Sequence, residues 1–291
     1  MRRRLAILTA ALGAALVSAG TAGATDFYIS TDSGAPGATL GTPPLTFTNG
    51  SVARYDDATD TATLFFNETS FLGGSENVDA FELLPNGHIL LSTTDPATLG
   101  GVPFGNGDVV DWDPVNLVAF ILFNDSLFSG GGSTNTDGVA IAPNGNILLS
   151  TTGPQTLGLL SFRDGDIIEW DGTTASLFFS EDLFGTDPFV NTDEDVDVDA
   201  FDVAEDGRLV LSTFENNVSL GGVVNFRNGD LVAYDINTDT ATIIFLEDLF
   251  SSGNEDIDAV AVPEPSASAP MPSASKGTPY GVPSSLATTP K

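Results

Sequence analysis

Cysteine is absent from this 291-residue chain, and histidine occurs only once, at His88. Without thiols the chain can form no disulfide, thiolate nucleophile or cysteine-based metal site. His88 lies in a predicted turn of one repeat, so we interpret it as a surface residue. No Ser-His-Asp set can be argued either, because the repeated serines lie inside predicted strands.

Basic residues are also scarce, and the chain carries a formal charge of −31. Between Asp26 and Asp258 there are 39 acidic residues, four arginines and no lysine, which leaves a charge of −35. Such a surface repels phosphate backbones and anionic membranes, which excludes nucleic-acid binding. Cations are the natural counter-species, although an acidic surface also simply keeps an exported β-protein soluble.

Long apolar runs are missing except near the N-terminus. There MRRR precedes LAILTAALGAALV and a small-residue stretch that ends in Ala22-Gly23-Ala24. A basic start, a short apolar region and an A-x-A site are typical of a secretory signal peptide. We therefore predict a signal peptide over residues 1–24, an exported protein, and no membrane span in the mature chain.

Internal repetition is the dominant positive feature of the sequence. NGHILLSTT begins at Asn86 and returns as NGNILLSTT at Asn144, 58 residues later. Related phrases place one serine in each of four copies, at Ser30, Ser92, Ser150 and Ser212. A Thr/Ser-Leu-Gly phrase, a Phe-x-Asn/Asp-Gly phrase and a Phe-rich run recur in step with these serines, so the chain contains four structural repeats.

Each repeat reads as four short strands separated by turn residues. Asn86-Gly87 and Asn144-Gly145 are typical of two-residue hairpin turns. The strands are apolar on both faces, which indicates sheets that are covered on both sides.

The ends of the repeat region complement each other. The first copy lacks its leading strand, whereas DIDAVAV from Asp256 supplies a surplus one. We predict an all-β fold over residues 25–262: a four-bladed β-propeller with four strands per blade, closed by the C-terminal inner strand, which completes the first blade.

The C-terminal segment, residues 263–291, is rich in Pro, Ser and Ala and is predicted to be disordered. The junction Val262-Pro263-Glu264-Pro265 resembles the VPEP signal of bacterial PEP-CTERM surface-sorting domains. The membrane helix and basic cluster of that family are missing here, so the signal is degenerate. The resemblance implies export to the surface or surroundings of a Gram-negative bacterium.

An acidic residue begins each predicted inner strand, and these four residues are the candidate metal ligands: Asp79, Asp137, Asp199 and Asp258. Oxygen-only ligands favour Ca²⁺ or Mg²⁺ over zinc, with Ca²⁺ as the expected cofactor. In the competing interpretation each aspartate caps its own turn. A second series, Glu68, Asp125, Glu181 and Glu247, is predicted to lie on the outer rim.

Two functions remain open at this stage. The first is an exported, monomeric, non-enzymatic binding or structural module that is stabilised by divalent cations. Its partner would be a polysaccharide or another surface protein, contacted through the Thr-Leu-Gly loops. The second is a divalent-metal-dependent hydrolase of the lactonase or esterase type, which rests on fold analogy alone.

Overall fold

A computed structural model describes residues 26–74, 76–129, 134–185 and 196–262. The predicted signal peptide and the C-terminal segment lie outside these residues. Strands and short 3₁₀ helices make up the regular structure of the described chain, and the predicted all-β class is confirmed. None of the helices in the described ranges is long and apolar enough to cross a membrane.

The strands follow the four sequence repeats. The first repeat contributes β1 (Asp26–Ser30), β2 (Ala38–Leu40), β3 (Leu45–Phe47), β4 (Val52–Asp56) and β5 (Thr61–Phe66). The second contributes β6 (Val78–Leu83), β7 (Ile89–Thr93), β8 (Ala97–Leu99), β9 (Val102–Phe104), β10 (Val109–Asp113) and β11 (Val118–Phe123).

The third and fourth repeats keep the same order. The third contributes β12 (Gly138–Ile141), β13 (Ile147–Ser150), β14 (Gln155–Leu157), β15 (Leu160–Phe162), β16 (Ile167–Trp170), β17 (Ala175–Phe179) and β18 (Phe184–Gly185). The fourth contributes β19 (Ala200–Val203), β20 (Leu209–Ser212), β21 (Val218–Leu220), β22 (Val223–Phe226), β23 (Leu231–Asp235), β24 (Thr240–Phe245) and finally β25 (Ala259–Ala261). The four 3₁₀ helices are Glu68–Ser70, Asp125–Leu127, Glu181–Leu183 and Glu247–Leu249.

Each repeat forms one four-stranded antiparallel sheet. Sheet I has the order β25-β1-β4-β5, sheet II β6-β7-β10-β11, sheet III β12-β13-β16-β17 and sheet IV β19-β20-β23-β24. The C-terminal strand β25 pairs with β1, with Tyr28 opposite Ala261. The leading strands β25, β6, β12 and β19 also contact one another in that cyclic order. The core lies between sheets, in four clusters of buried Leu, Ile, Val and Phe.

The hairpin between the first two strands of a sheet differs from the predicted two-residue turn. The Leu84 N–H donates to the His88 carbonyl (2.9 Å), which leaves a three-residue loop, Pro85–Gly87. Gly87 has φ +84°, and the Gly87 N–H donates to the Leu84 carbonyl. Proline favours the start of such a turn and glycine its left-handed end, so the residues around Asn-Gly set the loop length.

The repeated Leu of the Thr/Ser-Leu-Gly phrase joins consecutive sheets. Its hairpin forms a β-bridge or short ladder with the Phe that follows the preceding repeat's 3₁₀ helix, through the pairs Leu40 with Phe250, Phe71 with Leu99, Phe128 with Leu157, and Phe184 with Leu220. These leucines are almost completely buried. The phrase therefore repeats because it connects neighbouring sheets.

The Phe-x-Asn/Asp-Gly turn provides a second link between sheets. The Asn49 carbonyl accepts hydrogen bonds from the Ser30 hydroxyl (2.9 Å) and from the Val78 N–H of the next repeat (3.0 Å). Ser92 and Ser212 make the equivalent bonds to Asn106 and Asn228. In these three repeats, the repeated serine and the turn that it contacts therefore position the segment that leads into the next sheet.

Glycine at the end of this turn is required by the next repeat. A Cβ on Gly229 would lie 2.3 Å from the Glu255 carbonyl oxygen and 2.5 Å from Glu247 Cγ. The other three turn glycines meet the same obstacle, at Glu76 for Gly50, Thr134 for Gly107 and Val196 for Gly165. Each distance is far below van der Waals contact, so a side chain would push the sheets apart.

Substitution of this glycine should therefore destabilise the fold. We expect Gly229→Ala to lower the free energy of unfolding by about 1–3 kcal/mol in urea denaturation, the usual cost of overpacking. Gly153→Ala is the control, because a Cβ there has no atom within 4 Å, and its effect should stay within about 0.5 kcal/mol. Equal stability of the two variants would contradict the inter-sheet contact.

Candidate functional site

The four candidate ligands share a longer motif than the sequence analysis recognised. Each lies two residues after an Asn or Asp and just before Ala or Gly, in the segments Asn77–Ala80, Asn135–Gly138, Asp197–Ala200 and Asp256–Ala259. We call this the N/D-x-D motif. It occupies the start of every leading strand, where β25, β6, β12 and β19 meet.

Backbone hydrogen bonds hold the motif in register. The Asn77 carbonyl accepts from the Thr94 N–H (3.1 Å), and the Asn135 carbonyl accepts from the Thr152 N–H (3.2 Å). Asp197 and Asp256 make the same bond, from Phe214 and from Asp32 (both 3.2 Å). The side chains of the motif are thus brought together by the four-fold repetition of one backbone geometry.

Three of the four candidate ligands are almost completely buried, and some of their carboxyl oxygens lack a well-formed hydrogen bond. Asp79, Asp137 and Asp258 are 3 %, 2 % and 5 % exposed. Oδ2 of Asp137 has no hydrogen-bond partner. The side-chain amides of Asn135 and Asn77 act on Asp79 and Asp258 and lower their pKa values, but no hydrogen bond of normal geometry reaches either oxygen of these two carboxyl groups. Asp137 Oδ2 accepts no local N–H bond, so turn capping alone does not account for the burial of this carboxyl group.

Other buried aspartates in the same repeats do act as caps. Asp230 Oδ2 accepts the Arg227 N–H and Oδ1 accepts the Glu247 N–H, both at 2.8 Å. Asp166 and Asp108 make the corresponding pairs of bonds. The fold therefore contains two classes of buried aspartate, one satisfied by backbone amides and one left unsatisfied at the meeting point of the leading strands.

Burial and mutual repulsion control the charge of the four candidate ligands. Burial raises the pKa of Asp79, Asp137, Asp199 and Asp258 well above the usual range of aspartate. After burial, the carboxylates of neighbouring motifs raise these pKa values further, with Asp197 acting on Asp137, Asp256 on Asp199, and Asp79 on Asp258. The four candidate ligands therefore belong to one electrostatic cluster.

At the first position of the motif, Asn77 and Asn135 were not predicted from the sequence. Asn77 and Asn135 supply amides on sheets II and III, whereas Asp197 and Asp256 supply carboxyl groups on sheets IV and I. Asn135 Nδ2 donates to Asp137 Oδ1 (2.9 Å), while Asn135 Oδ1, 8 % exposed as a residue, has no partner. Burial raises the pKa of both Asp197 and Asp256 to about 7. The fixed two-residue spacing was the available signal.

These groups do not form a ready-made metal centre. Within the described ranges, no three His, Asp or Glu side chains lie close enough together to hold a metal ion. Asp193 and Asp195, which precede the third motif, lie outside those ranges. The predicted Ca²⁺ ligation by Asp79, Asp137, Asp199 and Asp258 stays a prediction, and it would require the side chains to converge on the ion.

Two of the four residues that the sequence placed on an outer rim are buried, whereas Glu68 and Asp125 are partly exposed. Glu181 and Glu247 are 7 % and 2 % exposed and lie beneath the Phe-x-Asn/Asp-Gly turns. Arg163 pairs with Glu181 (2.7 Å) and Arg227 pairs with Glu247 (2.8 Å). Two of the four arginines of the acidic segment thus pair with buried glutamates, which gives Glu181 and Glu247 a structural role.

The remaining candidate features lie away from the cluster. His88 Nδ1 lies 2.8 Å from Asp111 Oδ1, at the hairpin end of sheet II. A cleft of about 410 Å³ adjoins the Thr-Leu-Gly hairpin of the third repeat, and it is lined by polar side chains that include Gln155, Ser161 and Arg163. The predicted partner contact at the Thr-Leu-Gly loops stays a prediction.

The two classes of buried aspartate should respond oppositely to the same substitution. In buffer with EDTA at pH 7.5, we expect Asp79→Asn to raise the free energy of unfolding. The substitution replaces a buried carboxyl group, whose ionisation is costly in the folded state, by a neutral amide. Asp230→Asn should lower it by about 1–3 kcal/mol, because one backbone N–H loses its acceptor. Urea denaturation measures both; a loss of stability in both variants would contradict the distinction.

No known protein family matches the chain, and no curated protein matches it. Solved structures with propeller-like folds are similar to it at low identity. A streptogramin B lyase shares 9 % identity and a TM-score of 0.30 over 75 % of this chain and 54 % of its own, so the chain spans about half of that structure. A chain of the nidogen/laminin complex shares 11 % identity and a TM-score of 0.34, over 82 % of this chain and 98 % of its own. A protein of unknown function from Bacteroides caccae shares 10 % identity and a TM-score of 0.38, also over 82 % of this chain and 98 % of its own. These values carry no argument about activity or ligand.

Proposed function

We propose that the protein is an exported four-bladed β-propeller that acts as a non-enzymatic binding or structural module and is stabilised by a divalent cation. Sheets I to IV are the blades, and the pairing of β25 with β1 closes the ring. The cyclic contacts of the leading strands support this arrangement. The basic, apolar and small-residue pattern of residues 1–24 supports export.

One observation carries the cation proposal: buried carboxyl oxygens of Asp79, Asp137 and Asp258 receive no hydrogen bond of normal geometry. A buried carboxyl group is tolerated only if it is protonated, or if a cation or hydrogen bonds stabilise its charged form. The neighbouring Asn77 and Asn135 oxygens, also without donors, are neutral ligands of the kind that Ca²⁺ combines with carboxylates. The oxygen-only donor set thus fits Ca²⁺ in chemistry, and the acidic surface would attract it.

A calcium titration tests this function. We expect the melting temperature of the wild type to rise saturably with Ca²⁺ relative to NaCl of matched ionic strength, with about 2.7 kcal/mol gained at 100 times the Kd. Asp137→Asn should melt higher than wild type in EDTA but should lose the response to Ca²⁺, because it removes a repelled charge together with a ligand. Differential scanning calorimetry on the exported chain gives both values.

The matched control is Asp57→Asn, an exposed aspartate outside the cluster. This variant should retain the wild-type response. A wild type that melts identically in Ca²⁺ and in matched NaCl would refute the cation site, and so would an unchanged response in Asp137→Asn.

The hydrolase is retained as a second candidate because the cluster combines Asn and Asp at the first motif position. A mixed amide and carboxylate set is not four-fold symmetric, as a purely structural ring would be. The deep burial of Asp79 and Asp137 opposes this function, since a substrate must reach the metal. We expect no Ca²⁺-dependent hydrolysis of aliphatic lactones or aryl esters; turnover that Asp137→Asn abolishes and Asp57→Asn retains would favour the enzyme.

A further inference from the structure

A second pair of acids lies further along the same leading strands. Glu82 in β6 and Asp202 in β19 stand three residues after the motif aspartates of sheets II and IV. Their side chains are hydrogen bonded to each other, and β6 contacts β19 directly. Sheets II and IV are not consecutive in the cyclic order of the leading strands, so this contact joins two sheets that are not neighbours in that order.

The pair also contacts the other two sheets. Asp202 Oδ2 accepts the N–H of Val262 (2.6 Å), the residue that follows the closing strand β25 of sheet I. Asp202 Oδ1 accepts the Val203 N–H (2.6 Å), and Glu82 receives a backbone hydrogen bond from Ile141 at the end of β12. One carboxyl pair therefore connects all four sheets.

We propose that Glu82 and Asp202 form a latch that binds one proton between their carboxyl groups and so holds the C-terminal strand β25 in the fold. The Glu82 hydroxyl donates to Asp202, and the Asp202 oxygens remain acceptors for the two backbone N–H groups. Loss of the proton places two carboxylates against each other, and this repulsion loosens the bond to Val262. The latch is independent of the proposed cation site.

Among the described residues, no cationic side chain acts on the carboxyl groups of the pair. At the equivalent positions, β12 and β25 carry Ala140 and Ala261. At the hairpin ends of these sheets, the charged groups are engaged elsewhere: Arg208 with Asp206, His88 with Asp111 and Asp113, and Glu169 with Asn144 and Asn146. The motif aspartates Asp79 and Asp258 lie at the far end of β6 and β25.

Titration of the pair links stability to pH. Burial, and then the nearby Asp202 carboxylate, raise the pKa of Glu82 well above its ordinary value of 4.5. Burial also raises the pKa of Asp202. A proton held more tightly in the folded state stabilises the fold fully below the ordinary pKa, and this stabilisation is lost as the pH rises through the folded-state pKa.

The test is hydrogen–deuterium exchange of the β25 segment from pH 5 to pH 9, corrected for intrinsic exchange and measured on the full chain. Opening of this segment in the wild type should increase by up to tenfold per pH unit until the latch proton is lost. Glu82→Gln keeps a neutral donor to Asp202 at every pH, so it should reduce this slope and protect β25 at alkaline pH. Asp202→Asn should expose β25 at all pH values, because it has one acceptor oxygen instead of two.

Glu205→Gln, an exposed neighbour of the pair, is the matched control and should follow the wild type. The proposal is overturned if Glu82→Gln follows Glu205→Gln across the pH range, or if it exposes β25 at all pH values. Parallel runs in EDTA and in Ca²⁺ separate the latch from the motif aspartates. If the effect of Glu82→Gln on β25 exchange vanishes in Ca²⁺, that effect is due to the motif aspartates. This result would also overturn the latch.

Discussion

The contact on which the rest of the molecule depends is the passage of each sheet's leading segment across the turn glycine of the preceding sheet. At Gly229 the carbonyl of Glu255 occupies the space of a side chain. The adjacent Asn228 carbonyl receives both a serine hydroxyl and the N–H of Ile257. Because this arrangement recurs, with a close carbonyl at every turn glycine, four sheets that share no strand are brought into one defined arrangement.

This constraint also explains why acidic residues cluster where the leading strands meet, although the charged form of a carboxyl group is unfavourable there. Repetition copies a side chain into every sheet, and equivalent strand starts meet at one place. A single buried carboxyl group needs only a proton, whereas four of them also repel one another. The cap aspartates such as Asp230 come from the same repeats but lie against backbone amides. Identical chemistry thus has opposite energetic consequences in two environments of one fold.

Much of the fold could be predicted because it depends on local and periodic signals. Strand positions followed from apolar runs bounded by turn residues, and the partner of β1 followed from complementary ends. The hairpin loop length was wrong because Asn-Gly also fits a three-residue loop once Pro85 precedes it. The burial of Glu181 and Glu247 could not be predicted from the sequence either, because their arginine partners lie in other turns.

Part of the residue cluster could be predicted for the same reason, whereas its ligation of Ca²⁺ stays a prediction. Asp79, Asp137, Asp199 and Asp258 were recognisable because they recur in phase. Asn77 and Asn135 were missed because Asn and Asp alternate at their position. The contact between Glu82 and Asp202 breaks the repeat pattern, and it arises only when sheets II and IV approach. Pairwise contacts between non-equivalent residues are invisible to an argument from periodicity.

The pairing of β25 with β1 has a consequence for how the chain acquires its structure. Ala261 pairs with Tyr28, so the first sheet cannot be completed until the more than 200 residues between them have been synthesised. The entropy lost in closing so long a loop must be recovered by three paired residues and the core around them. Such non-local pairing slows folding. During synthesis, sheets II, III and IV could form before β25 is available, and β1 would then still have an unpaired edge.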